Sequence, residues 1–120
     1  MFLSRSGYTF DIANNGQEAI DKFTESEDYE LILMDCMMPV KDGFSATKEI
    51  RTVEKKQRRK KIPIIALTAS VLDQDISKCY ESGMDDYVAK PFKKEILLEK
   101  IMKMGFVFTN TRKWIYQVIP

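Results

Sequence analysis

The stretch Leu31-Ile32-Leu33-Met34-Asp35-Cys36-Met37-Met38-Pro39-Val40-Lys41-Asp42-Gly43 decides the fold of this chain. Its first four residues form a short, continuous apolar run, the pattern of a strand buried on both faces of a parallel sheet. Pro39 and Gly43 are turn formers, so the chain leaves the strand just after Asp35. In open α/β sheets, ligands bind outside the carboxyl ends of the strands. Asp35 therefore stands either where such a sheet does its chemistry or as the N-cap of the next helix. This strand alone leaves both readings open.

Outward from that strand the chain alternates strand and helix. Thr9 to Ala13 reads as a strand, Asn14-Asn15-Gly16 as a turn, and Gln17 to Thr24 as a helix with Ala19, Ile20 and Phe23 on one face. A helix from about Ser45 to Lys56 turns Ala46, Ile50 and Val53 inward. Ile62 to Leu67 is a third apolar strand, and Pro63 suits a strand's first positions. Val71 to Glu81 reads as a helix with Leu72, Ile76, Cys79 and Tyr80 toward the core. Gly83 follows where a helix end tolerates positive φ. Tyr87 to Ala89 is a fourth strand, and Lys93 to Met104 a last helix using Ile96, Leu97, Ile101 and Met104. Strands separated by helices pair in parallel with right-handed crossovers, which predicts a doubly wound α/β sheet. Gly105 to Pro120 falls outside this rhythm.

Composition narrows the function classes. At 120 residues and 44% hydrophobic content, the chain reads as one soluble globular domain. No apolar run reaches the roughly 18 residues of a membrane span. No signal peptide is evident, so the expected location is cytoplasmic, without a membrane partner. The balance of 19 basic and 18 acidic residues gives no global pull toward nucleic acid. Cys36 and Cys79 have no metal-ligand spacing and read as buried free thiols of a reducing compartment. Histidine is absent, which excludes the commonest general base and zinc ligand, and histidine phosphorylation, within this sequence. Any phosphohistidine donor must lie elsewhere.

Three strands end in complementary groups: Asp35, then Thr68 after Ile64-Ile65-Ala66-Leu67, then Lys90 before Pro91-Phe92. A carboxylate, a hydroxyl and an ammonium on one edge make a small phosphoryl site. The carboxylate is the nucleophile, the hydroxyl donates to a phosphoryl oxygen, and the ammonium neutralises charge.

With Asn15-Gly16-Gln17-Glu18-Ala19, Met34-Asp35-Cys36-Met37-Met38-Pro39, Asp42-Gly43, Ala66-Leu67-Thr68-Ala69, Gly83-Met84-Asp85-Asp86-Tyr87 and Lys90-Pro91-Phe92, the chain resembles a response-regulator receiver domain of two-component signalling. It is most similar to receivers attached to hybrid sensor histidine kinases. The resemblance covers Met1 to about Met104 and implies the flavodoxin-like receiver fold. It also implies that Asp35 is the phosphoacceptor, taking a phosphoryl group from a sensor histidine kinase or a histidine phosphotransfer protein. The chain would then be an acceptor and not itself an enzyme. By the same resemblance Thr68 and Tyr87 are the switch residues, and Lys90, Thr68 and Ala69 bind the phosphoryl group. Magnesium is the implied cofactor, held by Asp35 and the backbone carbonyl of Met37. The Lys90–Pro91 bond is expected to be cis, the isomer that is cheap only before proline.

The family begins with a further strand ending in two adjacent acids that hold the magnesium. Here Phe2 to Ser6 with Gly7-Tyr8 resembles the last turn of the family's first helix. That strand and most of the helix are therefore expected to be missing from the receiver portion, residues 1–104. Asp11, Asp42, Asp85 and Asp86 do not take the right edge positions, so magnesium affinity is expected to be weakened. Losing about five buried apolar side chains at ~1.5–3 kcal/mol each removes on the order of 10 kcal/mol. That rivals a domain's net stability of roughly 5–15 kcal/mol. Within the atypical tail, residues 105–120, Trp114, Ile115, Tyr116, Val118 and Ile119 are β-prone. Either this tail supplies the missing strand, within the chain or exchanged in a dimer, or it is a frayed or out-of-frame end. As a filler it brings Gln117 and no acid.

Other classes fit less well. A phosphoaspartate hydrolase of the haloacid-dehalogenase type needs a second aspartate two residues after the nucleophile, and Met37 stands there. The run Lys55, Lys56, Arg58, Arg59, Lys60 and Lys61 has no interleaved aromatics and reads as a solvated helix end and loop, with no nucleic-acid partner. The competing class is a pseudo-receiver, a protein-interaction module that keeps the receiver shape without phosphorylation.

Overall fold

Leu31, Ile32, Leu33 and Met34 have no exposed surface, and the strand they build is the middle of a five-stranded sheet. The computed structural model describes residues 9–26, 29–36, 42–69, 71–91, 93–103 and 113–117. In chain order the elements are β1 (Thr9–Ala13), α1 (Gly16–Glu25), β2 (Tyr29–Asp35), α2 (Gly43–Lys56), β3 (Ile64–Thr68), α3 (Asp73–Ser82), β4 (Asp86–Ala89), α4 (Lys94–Lys103) and β5 (Lys113–Gln117). The strand order is β1-β5-β2-β3-β4, and every pairing is parallel.

Alternation along β2 and β3 sends successive side chains to opposite faces. Ile32, Met34, Ile64 and Ala66 join Ala19, Ile20, Phe23, Ala46, Ile50 and Cys79 in one core cluster. Leu31, Leu33, Ile65 and Leu67 are buried outside that cluster, as are Leu97 and Ile101 of α4. Both faces of the central strands are thus covered, which is what their continuous apolar runs require.

The helix starts correct one reading of the sequence. Asn15 caps α1, its side chain accepting from the Glu18 amide at 2.8 Å. Asp42, and not Asp35, caps α2, accepting from the Ser45 amide at 2.9 Å. Asp35 is thereby released from any capping role. Gly83 ends α3 in the left-handed region, at φ 110°.

Two helix faces also differ from expectation. In α3 only Cys79 and Ser82 are buried, whereas Leu72 and Tyr80 are exposed and Ile76 is half-buried. Leu72 precedes the helix, which begins two residues later than Val71, so the helical period does not carry it inward. In α4, Leu97 and Ile101 are buried but Ile96 is exposed, and Met104 lies outside the described residues. Phe2 to Ser6 and Gly7-Tyr8 also lie outside them. No helix among the described residues is long and apolar enough to cross a membrane.

β5 lies between β1 and β2 in the sheet. Thr9 to Ala13 pairs with Lys113 to Gln117, and Leu31, Ile32 and Leu33 pair with Trp114, Ile115 and Tyr116 on the other side. Among the described residues, β1 joins the rest of the sheet through β5.

At the amino edge of β3 and β4, Arg51 of α2 donates to the carbonyls of Gly83 (2.9 Å) and Ile62 (2.8 Å) and to the carboxylates of Glu54 (3.0 Å) and Asp85 (2.8 Å). Glu54 and Asp85 in turn accept from the amides of Ile62 and Ile64, each at 2.9 Å. Arg59 is also structural and not a solvated member of the basic run. Its guanidinium lies 4.7 Å from the Phe23 ring centroid and donates to the Thr24 carbonyl at 2.9 Å, closing the end of α1.

Two outcomes are expected. Deleting residues 113–120 leaves β1 and β2 without their shared neighbour and abolishes cooperative thermal unfolding followed by circular dichroism; an unchanged melting curve would refute the central placement of β5. Replacing Arg51 with Met strands the Glu54 and Asp85 carboxylates and costs about 3–5 kcal/mol in urea unfolding. A loss below about 1 kcal/mol would show that the cluster is not load-carrying at that edge.

Candidate functional site

Asp35 is the last residue of β2 and is fully buried. Its strand partner is Leu67, so Thr68 projects one residue further along the neighbouring strand. Thr68 in turn pairs with Ala89, and Lys90 follows it. The register therefore brings Asp35, Thr68 and Lys90 to the carboxyl edge of three adjacent strands. The Lys90 Nζ donates to Asp35 Oδ2, and the Lys90 amide donates to the Thr68 carbonyl at 2.7 Å. The Lys90–Pro91 peptide is cis.

The chain after Asp35 is held close. The Cys36 amide donates to the Leu67 carbonyl at 3.1 Å, and the Gly43 amide donates to the Cys36 carbonyl at 3.3 Å. A Cβ on Gly43 would meet the Asp35 carbonyl oxygen at 2.2 Å, well inside contact distance. Glycine is needed there for close approach, a role the Asp42-Gly43 turn signal did not reveal. Met37 and its carbonyl lie outside the described residues. Ala69 follows Thr68 and is exposed.

Tyr87 is half-buried and pairs with Ala66, two residues short of Thr68. Its amide donates to Asp86 Oδ1 at 2.8 Å. The same oxygen accepts from Lys100 Nζ of α4 at 3.1 Å, and that ammonium lies 5.5 Å from the Tyr87 ring centroid. Behind the site, Cys36 Sγ and Cys79 Sγ are 3.8 Å apart, and both residues are buried. Burial, and then the neighbouring Cys79, push the Cys36 thiol well above its ordinary range; burial likewise raises Cys79. Neither is a nucleophile in the closed fold.

A buried carboxylate oxygen paired with an ammonium, beside a threonine at the next strand end, suits transfer of an anionic group to Asp35. Residues 1–102 match the response regulator receiver domain model. The chain belongs to that family.

Among similar proteins, hybrid signal transduction histidine kinase B of Dictyostelium discoideum is 43% identical over 110 residues, covering 84% of this chain but 6% of the kinase. The receiver domain of the sensor histidine kinase PA1611 from Pseudomonas aeruginosa is 42% identical, with a TM-score of 0.75 over 87% of this chain and 83% of that one. That structure has a magnesium ion coordinated in its active-site cleft. The receiver of the Saccharomyces cerevisiae response regulator Ssk1, solved in complex with the histidine phosphotransfer protein Ypd1, is 38% identical with a TM-score of 0.71, covering 79% and 70% of the two chains. The fold is the flavodoxin-like receiver fold of two-component phosphorelays.

In this receiver domain, no group of three or more His, Cys, Asp or Glu side chains is gathered to hold a metal among the described residues. One Asp35 oxygen is already engaged by Lys90.

Gly43→Ala is expected to force the turn away from Asp35 and cost about 1–3 kcal/mol in chemical denaturation. Wild-type stability in that variant would contradict the close approach.

Proposed function

We propose that this receiver domain accepts a phosphoryl group on Asp35 from the phosphohistidine of a sensor histidine kinase or a histidine phosphotransfer protein. The observation that carries this reading is the Lys90–Asp35 contact beside Thr68 on one sheet edge. An Asp35 carboxylate oxygen attacks phosphorus, the phosphorus–oxygen bond forms, and the phosphorus–nitrogen bond to the donor histidine breaks. Lys90 offsets charge on the phosphoryl oxygens, and the Thr68 hydroxyl donates to one of them. The Thr68 hydroxyl and the Tyr87 ring then report the change to the surface. The chain is an acceptor in this scheme, turned over by its partners. Partnership with a phosphotransfer protein is supported by the likeness to the Ssk1 receiver, which binds Ypd1.

Magnesium supplies charge neutralisation in such transfers when bound. With Asp35 as the carboxylate offered by the described site, we further propose that its affinity here is weakened. The same observation favours a second reading, a phosphorylation-independent interaction module.

Incubation with a small-molecule phosphodonor and magnesium is expected to add one phosphoryl mass to the intact chain. The adduct should be labile to base and absent from Asp35→Asn. Half-maximal labelling is expected at higher magnesium than for the PA1611 receiver. Absence of the adduct at every magnesium concentration would leave the interaction module as the function.

A further inference from the structure

The buried pair Cys36 and Cys79 takes no part in the chemistry above. Their sulfurs are 3.8 Å apart, in contact and unbonded, and a disulfide needs about 2.0 Å. The two thiols sit on elements that are anchored to different degrees. Cys36 directly follows Asp35, and its backbone is held on both sides, by the Leu67 carbonyl and the Gly43 amide. Cys79 belongs to α3, a ten-residue helix that buries only Cys79 and Ser82. Leu72 at its start provides no side-chain cap, and residues 71–74 are exposed. A helix with so few buried anchors opens at low cost compared with the strands beneath it.

We propose that Cys36 and Cys79 form an oxidation site, a latent disulfide that locks α3 to the end of β2 beside Asp35. The oxidant is a hydroperoxide reaching the thiols when α3 opens. The Cys79 sulfur attacks the peroxide, forming a sulfur–oxygen bond as the oxygen–oxygen bond breaks and water leaves. The Cys36 sulfur then attacks that sulfenic acid, forming the sulfur–sulfur bond as a second water departs. Two thiols lose two electrons, and one hydrogen peroxide becomes two waters. The lock restrains α3, which is joined to Thr68 through residues 69–72, and so slows phosphoryl uptake at Asp35. That last consequence rests on the proposed phosphoacceptor role; the oxidation site does not.

The test treats the full chain with hydrogen peroxide, then denatures it, alkylates free thiols and maps the peptides. The expected result is loss of both alkylatable thiols, loss of two hydrogen masses and a Cys36–Cys79 linked peptide within one chain, all reversed by dithiothreitol. Cys36→Ser and Cys79→Ser each abolish the intrachain link. Two thiols still alkylatable, a link only between chains, or sulfinic acid on one cysteine overturns the site. Phosphodonor labelling of reduced and oxidised protein is compared in parallel, with slower labelling after oxidation expected and equal rates overturning the lock. No labelling even of reduced protein overturns the phosphoacceptor reading and the lock's effect on it, while the disulfide mapping still decides the oxidation site.

Discussion

A carboxylate with no exposed surface is tolerable only where another group replaces the water it has lost. At Asp35 the Lys90 ammonium is one such group. Lys90 follows β4, which lies two strand positions from β2, so its stem and the Asp35 side chain together bridge roughly 9–10 Å of sheet edge. The ion pair therefore ties the carboxyl ends of β2, β3 and β4 together above Thr68. It also places the ammonium where an anionic group on Asp35 would need it. The same interaction that makes the buried carboxylate tolerable prepares its chemistry.

The opposite edge shows what an electrostatic cluster without a ligand looks like. Arg51 spends its donors on Glu54, Asp85 and two carbonyls, and both acids also accept from backbone amides. These contacts are made within the protein and fix the turn before β4, with exposed Lys61 pairing the other Asp85 oxygen at 3.4 Å. At the carboxyl edge the ends of three adjacent strands bring Asp35, Thr68 and Lys90 together, with Lys90 reaching the Asp35 carboxylate. Conformational fixation at one end and chemistry at the other are separated by the length of the strands.

Local pattern made β2 and β3 legible because a four-residue apolar run has few other uses, and the strand ends then aligned Asp35, Thr68 and Lys90. The capping ambiguity at Asp35 was not soluble locally. Both Asp35 and Asp42 precede the helix, and only the chain path assigns the cap to Asp42. The face of α3, and Ile96 on α4, depart from the periodic pattern for a related reason, while Leu97 and Ile101 follow it. Burial on α3 falls to Cys79 and Ser82, small groups that allow close packing, while Leu72 and Tyr80 stay outside. Hydrophobicity marks a stripe, but the room beneath the helix decides which side chain fills it. The Arg51 cluster joins residues up to 34 positions apart and leaves no periodic trace.

The position of β5 extends that argument from packing to charge. β-prone residues near the chain's end identify a strand, yet its neighbours are set by which sheet edges need a partner. Pairing Leu33 with Tyr116 and Ala13 with Gln117 puts the end of β5 beside the end of β2. The strand on one side of Asp35's strand thus contributes Thr68, and the one on the other side ends, among the described residues, in Gln117. A strand can complete the hydrogen-bonded sheet on backbone complementarity alone, whereas it completes a phosphoryl site only through the side chains at its carboxyl end.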